Sequence, residues 1–274
     1  MDIRPGRGSG AARDKLRPDP RSEHRTAASP DSLLIPLQQF FPTAAVACPY
    51  VPGRAERKLI AELTGPEAPV LYDDLSRAGF RRSHRFAYRP ACRACEACVP
   101  VRIAVAQFAD TRSTRRIRNR NLDLCGRLLP PRATLEQYRL FLDYQHARHG
   151  GGDMAMMSYA DYRGMIEDSV VRTQVAEFRD ATGRLVAAML LDRLDDGVSA
   201  VYSFYDPGQP QRSLGTWTIL WLIEQNRRDG LPYVYLGYWI GESPKMAYKM
   251  RFTGLERLGA RGWRTVSPIA AAAD

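Results

Sequence analysis

The sequence predicts an α+β fold in which a mixed, mainly antiparallel sheet is flanked by helices, and three observations carry that prediction. Residues 173–205 ("TQVAEFRDATGRLVAAMLLDRLDDGVSAVYSFY") fall into three strand-length apolar blocks, separated by turn residues at "DATG" and "DDG". The next stretch, "SLGTWTILWLIEQNRRDG", repeats apolar residues at helical spacing, opens at Ser213 as a candidate cap and stops at Gly230. "LPYVYLGYWI" then reads as one more buried strand. Antiparallel strands, a helix and a further strand are the order of an acetyltransferase-like (GNAT) unit. In that fold the loop entering the helix offers free backbone N–H groups to an acyl donor.

Earlier elements follow from the same rules. Residues 1–30 are rich in Pro, Gly, Arg, Asp and Ser, bury too little to offset their ordering entropy, and are expected to be a disordered basic tail. "LYDDLSRAGFRRSHRFAYRP" predicts a short helix, a stop at Gly79 and a strand carrying Phe80, Phe86 and Tyr88. "VPVRIAVAQF" predicts a second strand, so that Cys92, Cys95 and Cys98 fall in a connection between neighbouring strands. Helical spacing is resumed at Leu135, Tyr138, Phe141, Leu142 and Gln145, and again in "YADYRGMIEDSV", across a flexible "GGGDMAMM". The end, "SPIAAAAD", reads as loose. The expected division is a tail at 1–30, an N-terminal domain with the cysteine cluster at 31–130, a C-terminal domain at 131–262 and a tail at 263–274.

A formal charge of +10 points to a polyanionic partner. The forty basic residues include four lysines (Lys15, Lys58, Lys245, Lys249), two of which fall within "SPKMAYKMRF". An ammonium there suggests a task that a guanidinium does not perform, with chance clustering as the alternative. "TRSTRRIRNRNLDLCGR" carries six arginines against Asp123 alone, which favours a phosphate-facing helix over a solvated face of mixed charge. No stretch is apolar enough to span a bilayer and no signal peptide is evident, so the expected compartment is the cytoplasm, without membrane contact.

In that compartment thiols stay reduced, and three cysteines at i, i+3 and i+6 suit either a metal site or reduced structural thiols. A closed metal site needs four ligands; Cys48 is the first candidate to join Cys92, Cys95 and Cys98, ahead of Cys125 and His84.

Three stretches, "GFRRSHRFAYRPACRACEAC", "YSFYDPGQPQRSLGTWTIL" and "YLGYWIGESPKMAYKMRF", resemble the aminoacyl-tRNA protein transferases, the arginyltransferase family of the N-end rule pathway. "CPYVPGR" and the arginine run after "QF" resemble the bacterial branch, which includes the aspartate/glutamate leucyltransferases. The resemblance runs from about Pro42 to Leu258. It implies two acetyltransferase-like domains and a reaction that moves leucine from leucyl-tRNA onto proteins beginning with Asp or Glu, marking them for degradation. Arginyl-tRNA as donor is the alternative on the same scaffold. It also implies an iron–sulfur cluster at the cysteines, where the spacing alone also allows zinc, although Val51 stands where eukaryotic relatives place the second cysteine of a CxxC pair. The chemistry itself needs no cofactor, and the sequence leaves the oligomeric state open.

Aminolysis of an activated ester sets the expected roles. Asp206, with Tyr205 beside it, is the candidate to accept the amine proton, with a turn-forming Asp before Pro207 as the alternative. Ser213 and Gly215 are expected to open the helix to the tRNA terminus. Lys245 and Lys249, four apart and so on one face if helical, are assigned to its phosphates or adenosine. Tyr238 and Trp239 are assigned to base stacking or the aminoacyl pocket, and Arg115 and Arg116 to tRNA. Arg81 and Arg82 are candidates for the acceptor's carboxylate. Two other classes compete. A non-catalytic RNA-binding protein gives no reason for "YSFYDP", "SLGT" and "PKMAYK" to occur together. An acetyl-CoA-dependent acetyltransferase asks for a fuller glycine-rich loop than "PQRSLGT".

Overall fold

The computed structural model describes residues 38–150 and 152–266; the predicted tail at 1–30, Gly151 and "SPIAAAAD" lie outside the described residues. Three short strands, β1 (Phe41–Pro42), β2 (Val46–Ala47) and β3 (Ala55–Glu56), precede β4 (Lys58–Glu62), α1 (Ala68–Arg77), β5 (Arg81–Ser83) and β6 (Phe86–Pro90). The expected single strand after Gly79 is thus a hairpin, turned at His84, which adopts a positive φ of 51°. Strands β1, β4, β6 and β5 form a four-stranded sheet, and β2 pairs with β3.

Then come β7 (Val99–Ala104), α2 (Arg112–Arg120), β8 (Cys125–Leu129), α3 (Leu135–His149) and α4 (Tyr159–Glu167). The chain ends with β9 (Thr173–Arg179), β10 (Leu185–Arg193), β11 (Gly197–Tyr205), α5 (Leu214–Arg228), β12 (Tyr233–Trp239), β13 (Leu255–Gly259) and β14 (Gly262–Thr265). An eight-stranded sheet is ordered β14-β13-β7-β12-β11-β10-β9-β8, with β11 and β12 parallel and every other neighbouring pair antiparallel.

This topology corrects the reading of the cysteine connection. Strand β6 belongs to the small sheet, whereas β7 pairs with β12 and β13 in the large one, so residues 91–98 cross between sheets and do not turn a hairpin. A boundary at 130 also passes through the large sheet, because β7 and β8 pair with strands from the C-terminal stretch. Residues 263–265 lie in β14, paired with β13, and are not a loose tail.

Both faces of the large sheet are covered, which is why "LVAAMLLD" in β10 is apolar without alternation. Ala187, Met189 and Leu191 face α5 through Trp217, Leu220 and Ile223, while Ala188 and Leu190 face α3 and α4 through Phe141, Tyr162 and Ile166. Each such large side chain contributes about 1.5–3 kcal/mol on burial. A third core joins the sheets, with Tyr72 and Leu75 of α1 packed with Tyr235 of β12.

Candidate active site

Strands β11 and β12 stay paired only over Gly197–Ser199 and Tyr233–Tyr235. Beyond them β12 shifts register, with Gly237 at φ 73°, and the carbonyls along the opening gap need other donors. Two basic side chains supply them. Arg81 donates to Ala200 O at 2.7 Å, to Val201 O at 2.9 Å and to Ser199 Oγ at 3.3 Å. Lys249 donates from the other side to Leu236 O at 2.9 Å and to Tyr238 O. A Cβ at Gly237 would stand 2.8 Å from Arg81 Nε, so the glycine serves both the bulge and the close approach.

Lys249 is only 7% exposed. Its burial, assisted by the charge of Arg81, brings its pKa down to about 7. The segment Pro244–Arg251 is a 3-10 helix, in which residues four apart do not share a face: Lys245 is exposed while Lys249 is sealed. The expected pair of tRNA contacts is therefore corrected for Lys249.

At the entrance to α5 the backbone of Ser213 is left-handed, φ 52°, and its hydroxyl makes no cap, contrary to expectation. Among the described residues no side chain caps this helix; Thr216 N donates to Ser213 O at 3.0 Å, which leaves the N–H groups of Leu214 and Gly215 open to an anion. Tyr205 closes one side. Its ring is so near Gly215 that a Cβ there would stand 2.8 Å from Tyr205 Cε1, and it meets Tyr144 edge-on at 4.8 Å. Gly215 thus accommodates a tyrosine of the same chain. The Tyr248 hydroxyl, pushed up to about 12 by burial and then by Tyr205, is electrostatically coupled to Arg81 as well.

Helix α2 braces this entrance. Arg120 donates to Gln211 O at 3.0 Å, Asn121 donates to Arg212 O at 2.9 Å, and Arg212 pairs with Asp123 at 2.8 Å. Arg118 pairs with Asp110, while Arg112, Arg115 and Arg116 are exposed without a carboxylate partner among the described residues.

Other predicted residues lie elsewhere or are occupied. Arg82 is sealed between the sheets, donating twice to Asp192 at 2.7 Å, to Thr173 Oγ1 at 3.2 Å and to His84 O at 2.9 Å, with its side chain 1% exposed. Neither Arg82 nor Arg81 can face an acceptor carboxylate as it stands. The Tyr238 hydroxyl donates to Gly79 O and Tyr88 O, tying β12 to the small sheet, and Trp239 packs against the main core, so neither is free to stack on a base. Asp206 accepts from Gly208 N at 2.8 Å and Gln209 Nε2 at 2.7 Å, and pairs with Arg184 at 3.1 Å. Burial alone would raise its pKa, but Gln209, Gly208 and Arg184 together hold the carboxyl below the usual range. That is the setting of a turn former, and its lone pairs are engaged.

The four cysteines are gathered but not as a ligand set. Burial first, then Cys92, Cys48 and Cys95, push the Cys98 thiol up to about 11. Cys48 Sγ accepts from Val51 N at 3.4 Å, Cys92 Sγ from Arg57 N at 3.4 Å and Cys95 Sγ from Arg54 at 3.1 Å. Among the described residues no three His, Cys, Asp or Glu side chains are grouped so as to hold a metal ion. The expected cluster or zinc thus finds no support in the placement of the thiols.

Sequence reasoning missed Arg184 and the three arginines beside the cysteines, Arg54, Arg57 and Arg93. Their signal was the alternation of basic and small residues in "GRAER" and "CRAC".

The chain matches the arginine-tRNA-protein transferase family in two parts, the N terminus over residues 46–116 and the C terminus over residues 136–259. It is 55% identical over 229 residues to an aspartate/glutamate leucyltransferase from Paramagnetospirillum magneticum, covering 84% of this chain and 94% of that protein. A protein so named from Rhodospirillum rubrum is 56% identical over 225 residues, covering 82% and 92%. A third, from Granulibacter bethesdensis, is 53% identical over 230 residues, covering 84% and 86%. With both family parts matched in order and relatives matched almost end to end, the chain belongs to the arginine-tRNA-protein transferase family, on its bacterial branch.

Proposed function

We propose that this chain transfers leucine from leucyl-tRNA to the α-amine of proteins that begin with Asp or Glu, marking them for degradation by the N-end rule pathway. The observation that carries the reading is 55% identity to an aspartate/glutamate leucyltransferase over 94% of its length. The chain is an aminoacyltransferase, and its setting is the cytoplasm, where charged tRNA and nascent acceptors meet. No helix among the described residues is long and apolar enough to cross a membrane.

The chemistry is the attack of an amine nitrogen on an ester carbonyl, with the terminal ribose oxygen leaving and taking up a proton. An α-amine has an ordinary pKa of about 7.7–8.0, so part of it is free base near neutrality. Holding amine and ester in attack geometry contributes about 7–11 kcal/mol, which makes positioning the main demand on the protein. In this reading the uncapped start of α5, together with Arg112, Arg115, Arg116 and Lys245, receives the tRNA end. Tyr205 and Tyr248 line the approach to the gap held by Arg81 and Lys249. Architecturally we keep two acetyltransferase-like units, 31–130 and 131–262, the first contributing β7 and β8 to the common sheet. No step passes through a metal at the cysteines.

The test uses the full chain with tRNA carrying labelled leucine or labelled arginine and peptides beginning with Asp, Glu or Gly. Leucine is expected on the Asp and Glu peptides alone. Transfer from arginyl-tRNA in its place would establish the other donor. Bound tRNA with no labelled peptide would overturn the enzymatic reading.

A further inference from the structure

Some arginines in this fold answer a carboxylate inside it, as Arg82 answers Asp192 and Arg102 answers Glu256. One concave site gathers three arginines around a hollow. A cavity of about 400 Å³ opens where the β2–β3 hairpin meets the cysteine connection, walled by Arg54, Arg57, Arg93 and Cys95 with Ala45 and Ala55 between them. Its size is that of a small-ligand site, and no carboxylate among the described residues lines it. The side chains of Arg57 and Arg93 have no acidic partner among the described residues, and Arg54 leans on Cys95 Sγ at 3.1 Å. Three guanidinium groups around one hollow repel one another until an anion enters.

We propose that this hollow is the subsite for the acidic side chain of the acceptor's first residue, with Arg57 and Arg93 as its charge-reading arms. The proposal rests on the leucyl-transfer reading and names the part of the site that selects Asp or Glu. Glu242 supports the assignment. Arg54 Nη2 lies 3.8 Å from Glu242 Oε1, which puts an exposed acid at the rim beside the basic floor. An N-terminal Asp or Glu carries a carboxylate and an α-ammonium within one residue, and a basic floor with an acidic rim matches that pairing of charges. Glu242 also follows β12, on the turn that leads into Pro244–Arg251 and hence to Lys249. The hollow is therefore one short turn from the gap between β11 and β12. A tRNA backbone is a less suitable occupant, because successive phosphates track along extended ridges such as α2, whereas here three arginines converge on one open hollow.

The experiment compares wild type with Arg57→Gln, Arg93→Gln and the double variant in steady-state transfer to peptides beginning with Glu or Gln, varying the peptide at saturating leucyl-tRNA and then leucyl-tRNA at saturating peptide. Loss of a bidentate carboxylate contact is expected to raise KM for the Glu peptide about 10-fold in each single variant. In the double variant the preference for Glu over Gln is expected to vanish, with KM for leucyl-tRNA unchanged. A rise in KM for leucyl-tRNA with the peptide KM unchanged would assign the hollow to tRNA phosphate and overturn the proposal. So would a preserved Glu preference in a double variant that melts like wild type. A second measurement needs neither transfer nor variants: anisotropy of C-terminally labelled Glu and Gln peptides on the wild-type chain alone. Binding about 10-fold tighter for Glu is expected, and equal binding would overturn the subsite. If the wild type transfers no leucine to any peptide, the functional reading fails while this binding comparison still decides the subsite.

Discussion

The arginines of β5 and those of α2 share a side chain and differ in everything around it. Arg81 and Arg82 project from a three-residue strand into the space between two sheets, where backbone carbonyls and Asp192 take up their donors. Arg112, Arg115 and Arg116 stand on the outer surface of a nine-residue helix with no acidic partner among the described residues. One set holds the sheets together and the other is free to meet a polyanion. Charge in a basic chain thus divides by what surrounds it, and mutation can test each side of the division.

The largest effect should come from the sealed side. In Arg82→Ala the Asp192 carboxylate, 0% exposed, is left without its counter-charge, which costs about 3–5 kcal/mol for a buried pair broken on one side. Urea denaturation should show that loss. Pairing the change with Asp192→Leu should recover much of it, because the uncompensated charge is then gone. A loss below about 1 kcal/mol would mean that the pair is hydrated and the sheets are held by apolar contacts alone.

Lys249 offers a graded version of the same test. Its pKa is about 7 in the fold, against an ordinary value of 10.5. Between those limits the unfolded chain holds a proton that the native chain lacks, so stability rises with pH, by up to about 1.4 kcal/mol per unit. Below about 7 both states carry the proton and above about 10 neither does, so the contribution is level at both ends. Lys249→Met should flatten this rise in a comparison of melting curves from pH 7 to 10. A wild type already as flat as the variant would mean that the ammonium stays charged in the gap. On the exposed side, replacing Arg112, Arg115 and Arg116 together by Gln should weaken leucyl-tRNA binding about 10-fold at low salt and lower the slope of log K against log salt by about 2–3. The melting temperature should stay where it is, since these side chains have no acidic partner in the fold.

Much of the fold was legible because periodicity and turn chemistry are local. The three strands β9 to β11, α5 and β12 stand where the apolar blocks, "DATG", "DDG" and Gly230 put them. The pairing of β7 with β12 was not legible, since a strand pattern names a face and not a partner more than a hundred residues away. Site residues suffered from the same gap. "FRRSH" and "TRRIR" look equally basic in the sequence, yet β5 inserts Arg81 between diverging strands while α2 leaves Arg115 in solvent. The 3-10 winding of Pro244–Arg251 likewise separates two lysines that an α-helix would have aligned.

The smallest effect is expected at Asp206, and it separates a turn from a base. Both carboxylate oxygens are already engaged, by Gly208 N on one side and by Gln209 and Arg184 on the other. A carboxyl held below its usual range is a weak acceptor for an amine proton near neutral pH. Asp206→Asn keeps the shape and one acceptor for the Gly208 N–H, so leucyl transfer should fall by less than about 10-fold, with the pH dependence of kcat unchanged. Removal of a true general base costs about 10²- to 10⁴-fold and shifts that profile. A loss of that size with an unchanged melting temperature would return Asp206 to the chemistry. A small loss leaves positioning, by the α5 entrance and the basic side chains of the gap, as the source of the rate.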